Sequence, residues 1–264
     1  MKIIVLTSGR FGTAAHHLNY LIKSKQCEIS MVILNEGKIV NKKKHYINKF
    51  RKIFKIGPLG AFNGIRMRKW YNQDITEFEK IGDIEDICRN NNIPFFTTPN
   101  INSPITLELF KNTHPDLGLS LGNGYIGKNI YTIPKYGMIN IHHEILPIYQ
   151  NAQSIIWQIY NMSPSTGYTI HKIDKHIDTG EILYQETIPI CFESTLSQTV
   201  SKTSFSLLEA SANGLLLFLA DFDNLYKNAK KQGKGRSYTT PNIWQYLKIL
   251  NNYKILKKNA KQKI

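Results

Sequence analysis

Cysteine is scarce in this sequence, and so is negative charge. The three cysteines, Cys27, Cys88 and Cys191, are widely separated and odd in number, so a disulfide framework is not expected. No uninterrupted apolar run approaches the roughly 18 residues that a membrane-spanning helix needs. The opening MKIIVLTSGR has a lysine and a short apolar run. That run is too brief for the core of a signal peptide, and no small-residue cleavage pattern follows. It reads as a buried first strand, and a cytoplasmic protein is expected. The glycine fingerprint GxGxxG is missing too: SGRFG, residues 8–12, lacks its third glycine, so dinucleotide binding is not indicated.

Asp and Glu number 19 against 34 Lys and Arg, a formal charge of +15. The deficit is concentrated: residues 38–69 hold eleven Lys and Arg and no acidic residue. An excess of this kind suits anionic partners such as nucleic acid, an anionic membrane surface or phosphorylated substrates. A coding bias toward Lys, Asn and Ile yields the same excess without any function.

What is present is a globular chain of 264 residues, 42% hydrophobic and 11% aromatic, enough for one large domain. KIIVLTS is a strand, SGRFG a turn, TAAHHLNYLIKS a helix by its spacing, and EISMVILN a second strand. This order belongs to a parallel α/β sheet. A turn such as SGRFG can also offer backbone N–H groups to a phosphate. Residues 38–73 interrupt the alternation, and the glycines and proline of KIGPLGAFNGIRMRKW argue against one long helix. The expectation there is an inserted basic lobe or long loop. A helix over DITEFEKIGDIEDICRNNN, the strand IPFFTTP, the helix SPITLELFKNT and the strand PDLGLSLG follow. Next come the turn GNGYIG, a short helix near Asn129, and the strand GMINIHH. Beyond it are a helix over NAQSIIWQIYN, the strands TGYTIHKID and GEILYQETIPI, and a long apolar helix. Thr195 and Gln198 are placed to cap that helix reciprocally. The last forty residues read as helical and basic, with GKGRSYTTP as a breaker.

Asn140 and His142 lie two apart, so on a strand they share a face. At the mouth of a cleft they would present an amide and an imidazole to one substrate. Asp178, in the tight turn HIDTG, is placed to return a carboxylate to that histidine and set its tautomer. Spacing alone permits this without requiring it, because a histidine at a strand end serves structure as readily as catalysis. His143 should point to the opposite face. His16, His17, His171 and His176 carry no distinguishing spacing, and Trp157 reads as core. Tyr238 is able to stack on a ligand.

The ordered elements change the weighting. Asn140 and His142 on a strand are followed by the loop Leu146-Pro147-Ile148-Tyr149, the Trp157 helix, the strand Thr166-Gly167-Tyr168-Thr169 and the turn Asp178-Thr179-Gly180. This run, residues 119–185, resembles the core of the folate-dependent formyltransferases. The resemblance implies a Rossmann-like α/β fold, mainly a parallel twisted sheet flanked by helices, with a small helical or irregular C-terminal region. It implies a catalytic domain over residues 1–190, carrying the basic insertion at about 38–73, and a helical extension over 191–264. The co-substrate implied is 10-formyltetrahydrofolate, with no metal. Asn140, His142 and Asp178 map to the family's catalytic residues, and Asn123, Gly124, Tyr125, Ile126 and Ile177 to its folate pocket. Many relatives carry Pro-Ser after the motif histidine, where this chain has His143-Glu144. Arg-Gly commonly follows the Leu-Pro-x-Tyr loop, where this chain has Gln150-Asn151. Asn is the best non-glycine substitute where φ is positive.

The family divides by acceptor. Methionyl-tRNA formyltransferases carry a C-terminal β-barrel, whereas the end of this chain reads helical. Glycinamide ribonucleotide formyltransferases are shorter and lack the basic insertion. LPIYQNAQSIIW looks most like the sugar N-formyltransferases, which act on nucleotide-linked dideoxy sugars and feed bacterial surface polysaccharides such as lipopolysaccharide O-antigen. The expected partners are therefore a sugar nucleotide and folate, not nucleic acid, with the C-terminal helical segment available for a homodimer. Gly9, Arg10, Gln150, Asn151 and Gln153 are expected to border the amine site. Two rivals from other classes are a metal-dependent hydrolase, drawing on His142, His143, Asp174, His176 and Asp178, and a nucleic-acid binder resting on charge. Adjacent strand histidines diverge, which counts against the first. A pure binder needs no Asn/His/Asp set, which counts against the second.

Overall fold

The computed structural model describes residues 1–38, 41–72, 81–151 and 153–262. KIIVLT forms β1 (Lys2–Thr7), buried from Ile3 onward, because a strand covered on both faces needs apolar side chains at every position. It is joined by β2 (Glu28–Asn35), β3 (Phe95–Thr98), β4 (Leu117–Leu121), β5 (Met138–His142), β6 (Ser165–Lys172) and β7 (Ile182–Pro189) in the order β3-β2-β1-β4-β5-β6-β7. Strands β3 through β5 of that order run parallel, and β6 and β7 turn antiparallel. The chain leaves β1 toward β2 on one side and returns beside it as β4. Such a reversal opens a crevice at the carboxyl ends of the strands. The Rossmann-like α/β architecture is the one expected.

Helix α1 (Thr13–Ser24) buries Ala14, Ala15, Leu18 and Leu21 against the sheet. The carboxylate of Asp83 caps α3 (Ile84–Asn90), and Ser103 caps α4 (Pro104–Thr113), whose proline sits in the first turn where no N–H is needed. The helix expected over DITEFEKIGDIEDICRNNN is found only as α3, and residues 74–80 of that stretch lie outside the described residues. The short α5 (Lys128–Tyr131) leads into β5. The helix expected over NAQSIIWQIYN is reduced to α6 (Ile156–Tyr160), because Asn151 (φ 49°) and Ile155 (φ 71°) take left-handed backbone and loop the chain first. Ala152 of that stretch lies outside the described residues.

The basic insertion is helical rather than a loop. Helix α2 (Lys42–Asn72) is broken once, at Gly57 (φ 75°, ψ 164°), and Pro58 opens its second segment. Glycine alone takes that backbone without strain, and proline is tolerated at the first turn, so two helix breakers together cost one kink. Residues 39, 40 and 73 of the insertion lie outside the described residues. In the second segment Gly60 and Gly64 face residues 240–242 so closely that a Cβ on Gly64 would stand 2.6 Å from Thr240 Cγ2.

Beyond β7, α7 (Leu196–Ala220) begins with the reciprocal Thr195/Gln198 capping box. It is long and apolar enough to cross a bilayer by length and composition, yet Leu207, Leu208, Leu215 and Phe218 join the main core between the sheet and α1. The 190/191 boundary thus falls just before a helix that completes the core of the sheet domain. Helix α8 (Phe222–Lys227) follows, and α9 (Ile243–Lys261), capped by Asn242 and Gln245, packs with α2 and α6 around a second core that contains Trp157, Tyr149 and Tyr238.

Candidate active site

Period-two geometry puts Asn140 and His142 on the same side of β5, both half-buried and open to a cleft of about 280 Å³. Its walls are the loop after β4, residues 122–126, and the loop after β6, residues 173–178. The second wall is shaped by Asp174, whose Oδ1 accepts from the His176 backbone N–H (3.0 Å) and the Thr179 hydroxyl (2.7 Å). Gly180 lets the turn close, since a Cβ there would lie 1.8 Å from the Lys172 carbonyl oxygen.

Asp178 is brought to the histidine, as expected, but it does not hold it by a direct hydrogen bond. Asp178 Oδ2 lies 3.8 Å from His142 Nε2 and accepts from the Asn151 backbone N–H at 3.1 Å. The His142 Nε2–H is instead 3.1 Å from the Tyr149 carbonyl, which fixes the proton on that nitrogen. The Gln150 side chain donates to the Asp178 carbonyl at 3.2 Å. The loop carrying Tyr149, Gln150 and Asn151 is therefore tied to both catalytic candidates. Asn151, which stands where relatives commonly carry glycine, takes φ 49°.

One residue of this site was missed by sequence reasoning. His171 is the register partner of Asn140 across the antiparallel β5–β6 pair. Its Nε2 is 3.2 Å from Asn140 Nδ2, its Nδ1 is 2.9 Å from the Lys172 carbonyl, and Asp178 Oδ1 lies 3.7 Å away. The network is satisfied by a neutral ring that donates from Nδ1 to Lys172 and accepts at Nε2 from the Asn140 amide. Burial lowers the His171 pKa below its ordinary value, opposed by the Lys172 carbonyl and Asp178. The Asn140 amide is thereby held in one orientation. Only the strand pairing could have revealed this, because nothing local distinguishes TIHKID. His176 also lines the cleft.

Asn123, Gly124, Tyr125, Ile126 and Ile177 line the cleft wall. Asn123 spends its side chain on structure: its Nδ2 donates to Leu6 O (2.6 Å) and Ser120 Oγ (3.0 Å), and its Oδ1 accepts from Ser8 (2.8 Å). Asn102 braces the same loop through Tyr125 O (3.0 Å) and Gly127 N (2.6 Å). What Gly124 and its neighbours offer a ligand is chiefly backbone. Tyr125 and Ile177, 51% and 54% exposed, stand at the mouth with Ile126 buried behind.

Of the residues expected to border the amine, Gln150 and Asn151 line a recess that adjoins the cleft through Tyr125, His176 and Ile177. Gly9, Arg10 and Gln153 line neither. The Arg10 guanidinium is held by Asp83 (3.0 Å) and Glu85 at the start of α3, and this pairing raises its pKa. Gly9 donates to Thr7 Oγ1 at 3.1 Å. Tyr238 is core rather than a ligand platform: it is 7% exposed and packs on Tyr149 and Trp157 with ring centroids 5.5 and 4.7 Å away. Trp157 is buried as anticipated and donates to Thr239 O at 3.0 Å.

The opposite face of β5 is sealed. His143 Nε2 lies 3.0 Å from Ser211 Oγ, which lies 3.1 Å from His17 Nε2, while His17 Nδ1 lies 2.7 Å from Thr13 O. His143 donates to Ser211 and His17 to Thr13, while the single Ser211 hydroxyl proton is shared between His17 Nε2 and the Leu208 carbonyl, 3.0 Å away. Burial pushes His143 down to about 4 and His17 to about 3. His142 and His143 thus diverge and do not converge on one ion. Among the described residues no group of three or more His, Cys, Asp or Glu is arranged to hold a metal.

Residues 108–211 match the family model for the formyl transferase domain, so all three of Asn140, His142 and Asp178 lie inside that domain. A methionyl-tRNA formyltransferase of Syntrophus aciditrophicus is 38% identical over 99 residues, 37% of this chain and 32% of that protein. One from Thermotoga maritima is 29% identical over 161 residues, 61% and 50% of the two chains. A GDP-perosamine N-formyltransferase of Brucella melitensis is 34% identical over 108 residues, 40% and 41%. The matched region spans half or less of each of these relatives. Among solved structures, phosphoribosylglycinamide formyltransferase from Bacillus halodurans superposes with a TM-score of 0.56 at 20% identity, covering 86% of this chain and 99% of that one. A sugar N-formyltransferase from a Shewanella species gives 0.55 at 13% identity, covering 96% and 87%. An N-formyltransferase from Helicobacter canadensis, in complex with folinic acid and dTDP-3-aminofucose, gives 0.52 at 19%, covering 90% and 70%. These superpositions establish the fold as that of the formyltransferases.

Proposed function

We propose that the protein transfers a formyl group from 10-formyltetrahydrofolate to the primary amine of a nucleotide-linked amino sugar. The observation that carries this reading is the convergence of Asn140, His142 and Asp178 on one cleft within the formyl transferase domain. Residues 1–190, together with the helix α7 that completes their core, would supply the catalytic unit, with the rest of residues 191–264 as a helical extension. Folate would lie along the backbone of residues 123–126 and against Ile177. Half-exposed apolar side chains beside the loop backbone around Gly124 suit a flat heteroaromatic ring with a hydrogen-bonding edge.

The chemistry follows from the donor set. The acceptor amine adds to the formyl carbon, and the carbonyl electron pair moves onto oxygen. Asn140, oriented by His171, donates an N–H to that oxygen. A His142 ring protonated on both nitrogens keeps its bond to Tyr149 and has a second N–H to give. A well-aimed donor at an oxyanion is worth about 2.7–4 kcal/mol. The C=O re-forms as the bond to the folate nitrogen breaks, and the proton lost by the amine ends on that nitrogen. Asp178 is the carboxylate within reach of that proton, directly or through water. No step requires a metal ion or a covalent enzyme intermediate.

A sugar nucleotide is favoured by the Brucella relative, which is named for a GDP-linked amino sugar, and by the recess at Gln150 and Asn151 beside the cleft. Such a product would belong to bacterial surface polysaccharide synthesis, made by a cytoplasmic enzyme. A second reading, methionyl-tRNA as acceptor, is supported by the curated relatives of that name. The deciding experiment follows tetrahydrofolate release with a panel of GDP-, dTDP- and UDP-linked amino sugars and with initiator methionyl-tRNA. Turnover on a sugar nucleotide is expected. Turnover on the tRNA alone would replace the sugar reading, and no release with any amine would remove formyl transfer.

A further inference from the structure

The first segment of α2 projects from the fold with almost nothing covering it. Among its described side chains only Ile56 is buried, with Ile53 half-buried. At about 100° per residue, Tyr46, Ile47, Phe50 and Phe54 fall within one arc of roughly 100°. These four are 63%, 42%, 64% and 79% exposed, and the Phe50 and Phe54 rings lie 5.3 Å apart. Lys49, Lys52 and Lys55 occupy the opposing arc, Arg51 borders the aromatic one, and Lys43, in the first turn, falls within it. Burial and the nearby Arg68 cation both depress the Lys52 pKa, so positive charges crowd here without a balancing acid. Past the Gly57 kink, Leu59, Phe62 and Ile65 continue an exposed apolar row, while Gly60, Gly64 and Met67 face inward. Seven of the nineteen exposed large hydrophobics among the described residues lie on this one helix. Trp244, 76% exposed, is two residues beyond the Asn242 backbone that Gly60 packs against.

A soluble surface rarely concentrates apolar side chains in this way without a partner. The charge pattern selects the partner. Residues 38–69 contain no acid, and the chain carries +15 overall, so a second copy would set like charge against like charge. A nucleic-acid duplex would take the lysines and leave the aromatic arc in water. An anionic bilayer surface takes both: the apolar arc enters the boundary of the acyl chains while the cations meet the headgroups. We infer that α2 is an in-plane membrane anchor, docking the protein on an anionic lipid surface. The anchor lies outside the cleft and does not depend on the proposed transfer reaction.

The test uses the full chain in vesicle flotation, with phosphatidylcholine vesicles containing or lacking phosphatidylglycerol. The wild type is expected to float with the anionic vesicles and to bind neutral ones about tenfold more weakly. The double variant Phe50→Ser/Phe54→Ser is expected to lose about tenfold in partitioning. Its circular dichroism and thermal midpoint should be unchanged, because both rings are exposed. Any of three kinds of outcome overturns the inference. One is wild-type protein that stays soluble with anionic vesicles, or a variant that floats as well as wild type. The second is a short RNA duplex that binds both proteins equally and displaces the wild type from vesicles. The third is a dimer, measured by light scattering, that the double variant dissolves.

Discussion

On one face of β5, Asn140 and His142 border an open cleft between two loops; on the other, His143 is closed in by Ser211 and His17. The histidines are adjacent, His142 ending the strand and His143 following it, and their environments are opposite. The cleft side keeps its imidazole in reach of a carboxylate and of solvent, where proton transfer is possible. The sealed side uses imidazole as a neutral, hydrogen-bonded spacer whose burial disfavours charge. Adjacent histidines are therefore no more alike in function than any two residues on opposite faces of a sheet.

The contrast is broken most sharply by substitution. His142→Ala or Asn140→Ala is expected to lower formyl transfer by about 10²–10³-fold with little change in stability. His143→Ala should do the reverse, costing roughly 2–3 kcal/mol through a cavity and an orphaned Ser211 contact while the rate per folded molecule is kept. Steady-state kinetics and urea unfolding on the same preparations separate the two. Equal rate losses in the His142 and His143 variants would erase the distinction.

Acid should act on the sealed face. The folded pKa values of His143 and His17, about 4 and about 3, lie below the unfolded value near 6.5. The unfolded chain therefore binds more protons in this window. Their stabilisation is complete above pH 6.5 and lost as pH falls toward 4 and 3. For His143 alone the loss is on the order of 3 kcal/mol. A urea midpoint followed from pH 7.5 to 4 should fall, and His143→Gln should flatten the decline. An unchanged slope would mean that the sealed histidine is already charged.

The sequence carries the cleft face of this contrast better than the rest. Asn140 and His142 share a face because strand periodicity is local, and the Thr195/Gln198 cap is legible for the same reason. His171 was not legible, because its role comes from an antiparallel register between strands about thirty residues apart. Arg10 was read toward a ligand, but the start of α3 supplies two carboxylates that claim it. The glycines and proline of residues 38–73 argue against one long helix, as the break at Gly57 bears out, but an inserted lobe or long loop was expected where two helical segments stand. Gly57 and Pro58 break a helix once without preventing it on either side. Local pattern thus conveys faces and caps, whereas pairing and burial decide partners.

His171 sits between the two regimes, since it is sealed like His143 yet touches Asn140. If it positions the amide, His171→Leu should lower kcat about tenfold, or about 1.4 kcal/mol, with KM little changed. His171→Gln, which retains an acceptor, should recover part of that loss. A variant that changes only the melting temperature would assign His171 to packing alone.

The smallest effect probes how dry the pocket beside Gln158 is. Glu144 follows His143, is fully buried, and is hydrogen-bonded by the Gln158 amide. Burial raises its pKa well above the carboxylate range, only partly offset by Gln158. The sign is opposite to that of the histidines. Above the unfolded pKa near 4.5 the unfolded chain has released a proton that the folded chain retains, so stability declines as pH rises toward the folded pKa. Glu144→Gln, neutral in both states, removes this slope. It should gain about 1 kcal/mol at pH 7, since the amide keeps its own burial cost. The gain should vanish near pH 4, where both versions are neutral. A variant less stable than wild type at pH 7 would mean that Glu144 is ionised in the folded protein and that its buried pocket beside Gln158 admits charge after all.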